Sequence, residues 1–143
     1  LDPTVMSDEE RAAVREQVAL YKGWRSVLQR GRFVRLRSPF EGDGNEAAWM
    51  TISEDRKRAV GALYRVLNRP LPGPHRLRLR GLDPAATYRV SVWPWTGSGV
   101  DAANTGLRSG DELMHAGLAL AEERDVVAAR GDFHASLFLI EAT

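Results

Sequence analysis

The residues with the most evident capacity for acid–base chemistry are four neighbouring carboxylate pairs: Glu9-Glu10, Glu54-Asp55, Asp111-Glu112 and Glu122-Glu123. Hydrolysis by paired carboxyl groups needs the two to face each other across the scissile bond, about 5–5.5 Å apart in the retaining geometry. Sequence neighbours do not create that geometry, because successive side chains on a strand point to opposite faces. Capping and turn roles account for these pairs better. His75, His115 and His134 stand forty and nineteen residues apart, and there is no cysteine, so no zinc-ligand spacing, thiolate site or disulfide framework can be drawn. No G-x-S-x-G elbow, phosphate-cradling P-loop or G-x-G-x-x-G turn occurs. Arg130-Gly131-Asp132 reads as a turn into a final strand. No residue is therefore assigned as catalytic, cofactor-binding or metal-ligating.

Tryptophan is more informative. Trp93-Pro94-Trp95 sets two indoles around a proline, where a strand gives way to Thr96-Gly97-Ser98-Gly99. Ring faces carry negative π density that meets the C–H face of a sugar, so Trp93 and Trp95 are the candidate carbohydrate contacts. The favoured role for such large aromatics is packing, in the core or between domains. Trp24 and Trp49 are assigned to packing.

Elements must position these residues. Ser7-Asp8-Glu9-Glu10 opens a helix by the capping-box pattern, with Ser7 as N-cap and Glu10 at N3. Apolar residues recur at three-to-four spacing through Trp24, Val27 and Leu28, and Gly31 ends the helix. The apolar stripe is wide, as in a helix covered by more than a small solvent-facing domain. Beyond Gly31 the period changes to two and turn signals recur about every ten residues. Strands are expected at 33–38, 47–53 (with Ala48, Met50 and Ile52 on one face), 58–67, 76–80 (with Leu77 and Leu79 inward), 88–93 and 133–141. The proline-rich run from Pro70 to Pro74 cannot be regular structure, and Gly81-Leu82-Asp83-Pro84 turns the chain. Gly110 is expected at an unusual φ, with Asp111 accepting backbone hydrogen bonds as an Asx-turn, so that the segment from Ser109 to Leu120 clips a preceding loop onto the strands. Short strands at this spacing predict a mainly β fold, an antiparallel β-sandwich preceded by one long α-helix.

Composition bounds the answer further. The 143 residues include 43% hydrophobic and 27% charged, with a formal net charge of +1, as in an ordinary globular domain. No apolar run reaches membrane-spanning length, and no basic-then-apolar signal segment opens the chain. The absence of cysteine favours a cytoplasmic setting. Leu1 in place of an initiator Met suggests an excerpt or a processed product. Eighteen of the twenty basic residues are arginine. Arg32, Arg35 and Arg37, and Arg76, Arg78 and Arg80, could line a phosphate-binding face, but nineteen carboxylates balance them and a solvated strand face is the better reading. Neither nucleic acid nor membrane is expected as a partner.

The ordered set Arg35-Leu36-Arg37-Ser38-Pro39, Ala48 to Asp55, Tyr64-Arg65-Val66-Leu67, Leu77 to Pro84, and Ser109-Gly110-Asp111-Glu112-Leu113-Met114 resembles the C-terminal end of bacterial α-galactosidases of glycoside hydrolase family thirty-six. His115 departs from the pattern, where many members carry a small amide residue. The resemblance implies a parent with a (β/α)8 barrel whose two aspartates work by a retaining mechanism, and a C-terminal β-sandwich. It divides the chain into residues 1–31, like the last barrel helix, and residues 32–143, the antiparallel β-sandwich. It implies a non-catalytic, structural accessory domain of an enzyme that hydrolyses terminal α-galactosides. The α-galactoside substrate would be held by the missing barrel, on which the domain packs, and the piece alone could self-associate. An independent carbohydrate-binding β-module using Trp93 and Trp95 is the alternative. A silent or responsive tryptophan emission on sugar titration separates the two.

Overall fold

A computed structural model describes residues 5–67, 76–93, 106–119 and 132–143. The first element, α1 (Asp8–Arg30), starts where its cap dictates. The Ser7 hydroxyl accepts from the Glu10 amide at 3.2 Å, and the Glu10 carboxylate accepts from the Ser7 amide at 2.8 Å. This reciprocal pair satisfies donors the helix start leaves orphaned. At the other end the Gly31 amide donates to the Val27 carbonyl. Gly31 is extended there, and a Cβ on it would collide with the Val27 and Ile52 carbonyls. Glycine is needed because the helix end is pressed against a strand, not for a left-handed turn.

Strands β1 (Arg32–Arg37), β2 (Glu46–Ile52), β3 (Arg58–Arg65), β5 (Thr87–Trp93), β6 (Gly106–Ser109) and β8 (His134–Ala142) form one sheet in the order β1-β2-β3-β8-β5-β6. Every neighbouring pair is antiparallel. A bulge between Arg35 and Arg37 breaks the β1 register. A second, two-stranded layer pairs β4 (Arg76–Leu77) with β7 (Leu118–Ala119), and a short helix α2 (Gly110–His115) lies between β6 and β7. The fold is mainly antiparallel sheet with one long N-terminal helix, as the period change at Gly31 predicts.

Alternation divides the large sheet into two faces. Ala48, Met50, Ile52, Ala59, Leu63, Val90, Phe138 and Ile140 point inward and pack against Leu77, Leu79, Leu82, Leu113 and Leu118. The ring of Phe138 fills the space a side chain at its register partner Gly61 would take. Tyr88 is fully buried, and its hydroxyl donates to the Arg56 carbonyl at 2.8 Å while accepting from the Asp83 amide at 3.0 Å. One phenol thereby joins two turns, one of which holds Arg56 at φ 58. On the opposite face, α1 covers Val60 and Leu139 with Trp24 and Val27.

Three expectations need correction. The strand expected at 76–80 ends at Leu77, because the Leu79 amide donates to the Leu113 carbonyl of α2 and not to a strand. Leu77 and Leu79 are nonetheless both buried. Gly110 is helical with an ordinary φ; it must be glycine because a Cβ would overlap the Asp83 carbonyl. Ser109, not Asp111, caps that helix, its hydroxyl accepting from the Glu112 amide at 3.1 Å. Elements β6, α2 and β7 go beyond the sequence expectation, although Ser109-x-x-Glu112 is itself a helix-start signature.

Candidate functional site

Most carboxylates of the described residues have structural partners. Glu46 is salt-bridged to Arg37 and lies 3.6 Å from Arg65, which is buried at the sheet's interior. Burial, reinforced by the neighbouring Arg65 charge, lowers the Arg37 pKa. Glu141 pairs with Arg58 at 3.0 Å, Glu112 with Arg108 at 3.5 Å, and Asp111 with His115 at 3.0 Å. Asp55 accepts from the Ser53 hydroxyl and the Lys57 amide, and Asp83 from the Ala85 amide. Hydrogen bonds to the ionised form hold Asp55 and Glu10 below their ordinary pKa, the first mainly through the Ser53 side chain and the second through the Ser7 backbone. Glu122 and Glu123 lie outside the described residues. No group of three or more His, Cys, Asp or Glu that could hold a metal ion occurs among the described residues.

The arginine runs do not make one face. Arg32, Arg35, Arg76, Arg78 and Arg80 are exposed, but Arg37 is half-buried, and its guanidinium also donates to the Arg76 carbonyl at 3.1 Å. Of the candidate sugar contacts, Trp93 ends β5 opposite Leu137 in the register, and Trp95 lies outside the described residues.

What the structure does assemble is an apolar trough on the outer face of the sheet. It encloses about 300 Å³ between α1 and strands β2, β3 and β8, lined by Leu20, Tyr21, Trp24, Trp49, Leu137 and Leu139 among others. Trp49 stacks on Phe33 with ring centroids 6.0 Å apart, and Phe33 is 58% exposed. The second half of α1 is pinned by Arg58. Its guanidinium lies 4.0 Å over the Trp24 ring, pairs with Glu141 and donates to the Gly23 carbonyl at 3.2 Å. A cation over an indole contributes about 0.5–2 kcal/mol as water is excluded. The first half has no such anchor: from Asp8 to Gly23 no residue is buried, and Val18 and Tyr21 are 43% and 45% exposed. Sequence reading caught the wide stripe of α1 but not the aromatic floor beside it, because Phe33 and Trp49 come together only through the β1–β2 register.

Residues 46–140 match the model of the glycosyl hydrolase family 36 C-terminal domain. The chain belongs to this family, as its C-terminal domain. It is 44% identical over 123 residues to the alpha-galactosidase AgaA of Geobacillus stearothermophilus, covering 84% of this chain and 14% of that protein. Among solved structures, the family 36 alpha-galactosidase AgaB of the same organism superposes with a TM-score of 0.79 at 40% identity. It covers 100% of this chain and 17% of the other. A variant of AgaA in complex with raffinose gives 0.77 at 38% identity, again over 100% and 17%. The family 36 domain described here thus spans about a sixth of the length of its relatives or less. The matched region leaves out all of α1 and β1, whereas the structural likeness takes in the whole chain. No described helix is long and apolar enough to cross a membrane.

Proposed function

We propose that this chain is the structural, non-catalytic C-terminal domain of a retaining α-galactosidase that hydrolyses terminal α-galactosides. On this reading the reacting carboxylates and the substrate site lie in a preceding (β/α)8 barrel. Residues 1–31 supply the last helix of that barrel, residues 32–143 form the sandwich packed on it, and the enzyme works in the cytoplasm. The observation that carries the reading is the combination of family membership with an outer surface built to be covered. Most of the described carboxylates serve caps, turns and ion pairs, while the first half of α1 and the Phe33–Trp49 floor present apolar area. Large exposed apolar patches mark interfaces.

The test is turnover. The purified 143-residue chain is expected to leave a chromogenic α-galactoside intact. The same chain joined to the N-terminal portion of the Geobacillus stearothermophilus enzyme AgaA is expected to hydrolyse it. Turnover by the chain alone, lost on changing one of its own carboxylates, would falsify the non-catalytic assignment.

A further inference from the structure

The loop between β1 and β2 carries a residue pair with covalent chemistry of its own. Asp43 is the one aspartate of the sequence followed by glycine. An aspartate carboxyl and the next peptide nitrogen can close a five-membered imide ring, and a Cβ on the following residue crowds that nitrogen. Gly44 has no Cβ. Its φ is 69°, and that of Gly42 is 68°, so the backbone on both sides of Asp43 is in the glycine-favoured region. Asp43 is exposed, and its Oδ1 accepts from the Asn45 amide at 3.1 Å. That bond folds the carboxyl forward over the Asp43–Gly44 peptide, toward the nitrogen it must meet. The Gly44 amide is loosely held, 3.4 Å from the Glu41 carbonyl.

Three other described aspartates lack this combination. Asp55 is also exposed and folded onto the Lys57 amide at 3.0 Å, but the next nitrogen belongs to Arg56, which carries a Cβ. Asp83 precedes Pro84, which has no N–H to lose. Asp111 precedes Glu112, whose amide is committed to the Ser109 hydroxyl at the start of α2.

More than the loop depends on Asp43. Asn45, next to Gly44, is 9% exposed, and its carbonyl accepts from the Val66 amide at 2.9 Å. Its side chain donates to the Leu67 carbonyl at 2.9 Å and accepts from the Leu67 amide at 2.7 Å. The Val66 carbonyl in turn accepts from the Phe133 amide at 2.8 Å, just before β8. One residue thus clasps the start of β2 to the end of β3 and, through Val66, to the entry of β8.

We propose that Asp43–Gly44 is a site of spontaneous aspartate isomerisation, and that conversion there opens the Asn45 clasp. The Gly44 nitrogen attacks Cγ of Asp43 in its acid form. A C–N bond forms, the nitrogen gives up its proton, and the carboxyl hydroxyl leaves with a proton as water. Water then opens the imide at either carbonyl. Opening at the former main-chain carbonyl routes the chain through Cβ and Cγ, with composition unchanged, one backbone atom added and the old carbonyl left as a free carboxylate. The Oδ1 contact that seats the Asn45 amide loses its geometry. The inference is independent of the role proposed for the domain.

The test keeps the folded 143-residue chain for weeks in neutral buffer made with water of heavy oxygen, which imide hydrolysis writes into the residue. Trypsin, cutting after Arg37 and Arg56, releases Asp43 and Asp55 in one peptide, so fragmentation compares them directly. Label and the isoaspartyl linkage are expected at Asp43 at least about tenfold above Asp55. Asp43→Glu keeps the carboxylate but needs a six-membered ring, and is expected to lose the label. In converted chain, separated by chromatography, the Leu67 amide is expected to exchange its hydrogen at least about tenfold faster, with Ala62 in the middle of β3 unchanged. Asp43 labelled no faster than Asp55, equal labelling of the Asp43→Glu chain, or converted chain with Leu67 as protected as before overturns the inference.

Discussion

At the scale of residues, two groups show how much of the fold hangs on single polar contacts. Tyr88 carries the join between the Arg56 turn and the Asp83 turn from a fully buried position. Tyr88→Phe keeps the ring but leaves the Asp83 amide and the Arg56 carbonyl without that partner, and is expected to cost about 1–3 kcal/mol in denaturant unfolding. Asp55 makes a different case. Its pKa is lowered in the folded state by the Ser53 hydroxyl and the Lys57 amide. A depressed folded pKa means stability that is present above the unfolded pKa and is lost as pH falls through the folded one. Asp55→Asn is therefore expected to lower stability near neutrality and to flatten the acid limb of the stability–pH curve, the two proteins converging at low pH. An unaltered acid limb in urea melts of the variant would contradict this. The turn role of Asp55 is legible in the sequence, since its partners lie two residues away on either side, but the Tyr88 contact is not. Tyr88 reads there as an ordinary strand residue, because its partners lie five and thirty-two positions away and are backbone groups.

At the scale of elements, legibility follows how local the determining interaction is. Helix α1 was fully legible, since its capping box and stripe are contained in its own sequence. The inward set Ala48, Met50 and Ile52 was legible from period two alone. Element α2 is not legible as a helix, because six residues offer less than two turns of periodicity and the Ser109 cap sits beside an Asp111 that equally suits a turn. Its structural role nevertheless stands on burial: Leu113 is 1% exposed and its carbonyl accepts from the Leu79 amide. Leu113→Ala is expected to destabilise the chain by about 2–5 kcal/mol, measured by thermal or denaturant unfolding. Asp111, whose carboxylate meets only an exposed His115 and no other acid, is expected to be dispensable for chemistry. In the fusion with AgaA, Asp111→Asn should leave the turnover number within about threefold, under ~1 kcal/mol of barrier. Loss of turnover in a normally folded variant would place Asp111 in an active site.

At the scale of the whole molecule, the sheet is finished on one side and unfinished on the other. The inner face meets β4, β7 and α2 and buries its aliphatic residues to a few per cent exposure. Among the described residues, the outer face is covered where Arg58 clamps the Trp24 end of α1, and the first half of the helix buries no residue. This asymmetry was foreshadowed by the width of the α1 stripe. Its location was not, because only the antiparallel register brings Phe33 beside Trp49, which lines the trough with α1. An isolated helical stretch of about 15 residues is marginal in water, so the first half of α1 draws stability from whatever covers it. Without the rest of a longer protein, the nearest complementary surface is the same face of another copy. An antiparallel pairing of two α1 helices would also set the acidic first turn, Asp8, Glu9 and Glu10, against Arg25 and Arg30 of its mate. The 143-residue chain is therefore expected to associate reversibly as its concentration rises in sedimentation. Val18→Asp and Tyr21→Asp, at exposed positions of that stripe, should restore the monomer without unfolding the sheet, and added salt should weaken the charge-matched part of the contact. A chain that stays monomeric at high concentration, with α1 fully helical by circular dichroism, would show that this face is stable against water alone, and the surface would then lose its meaning as an interface.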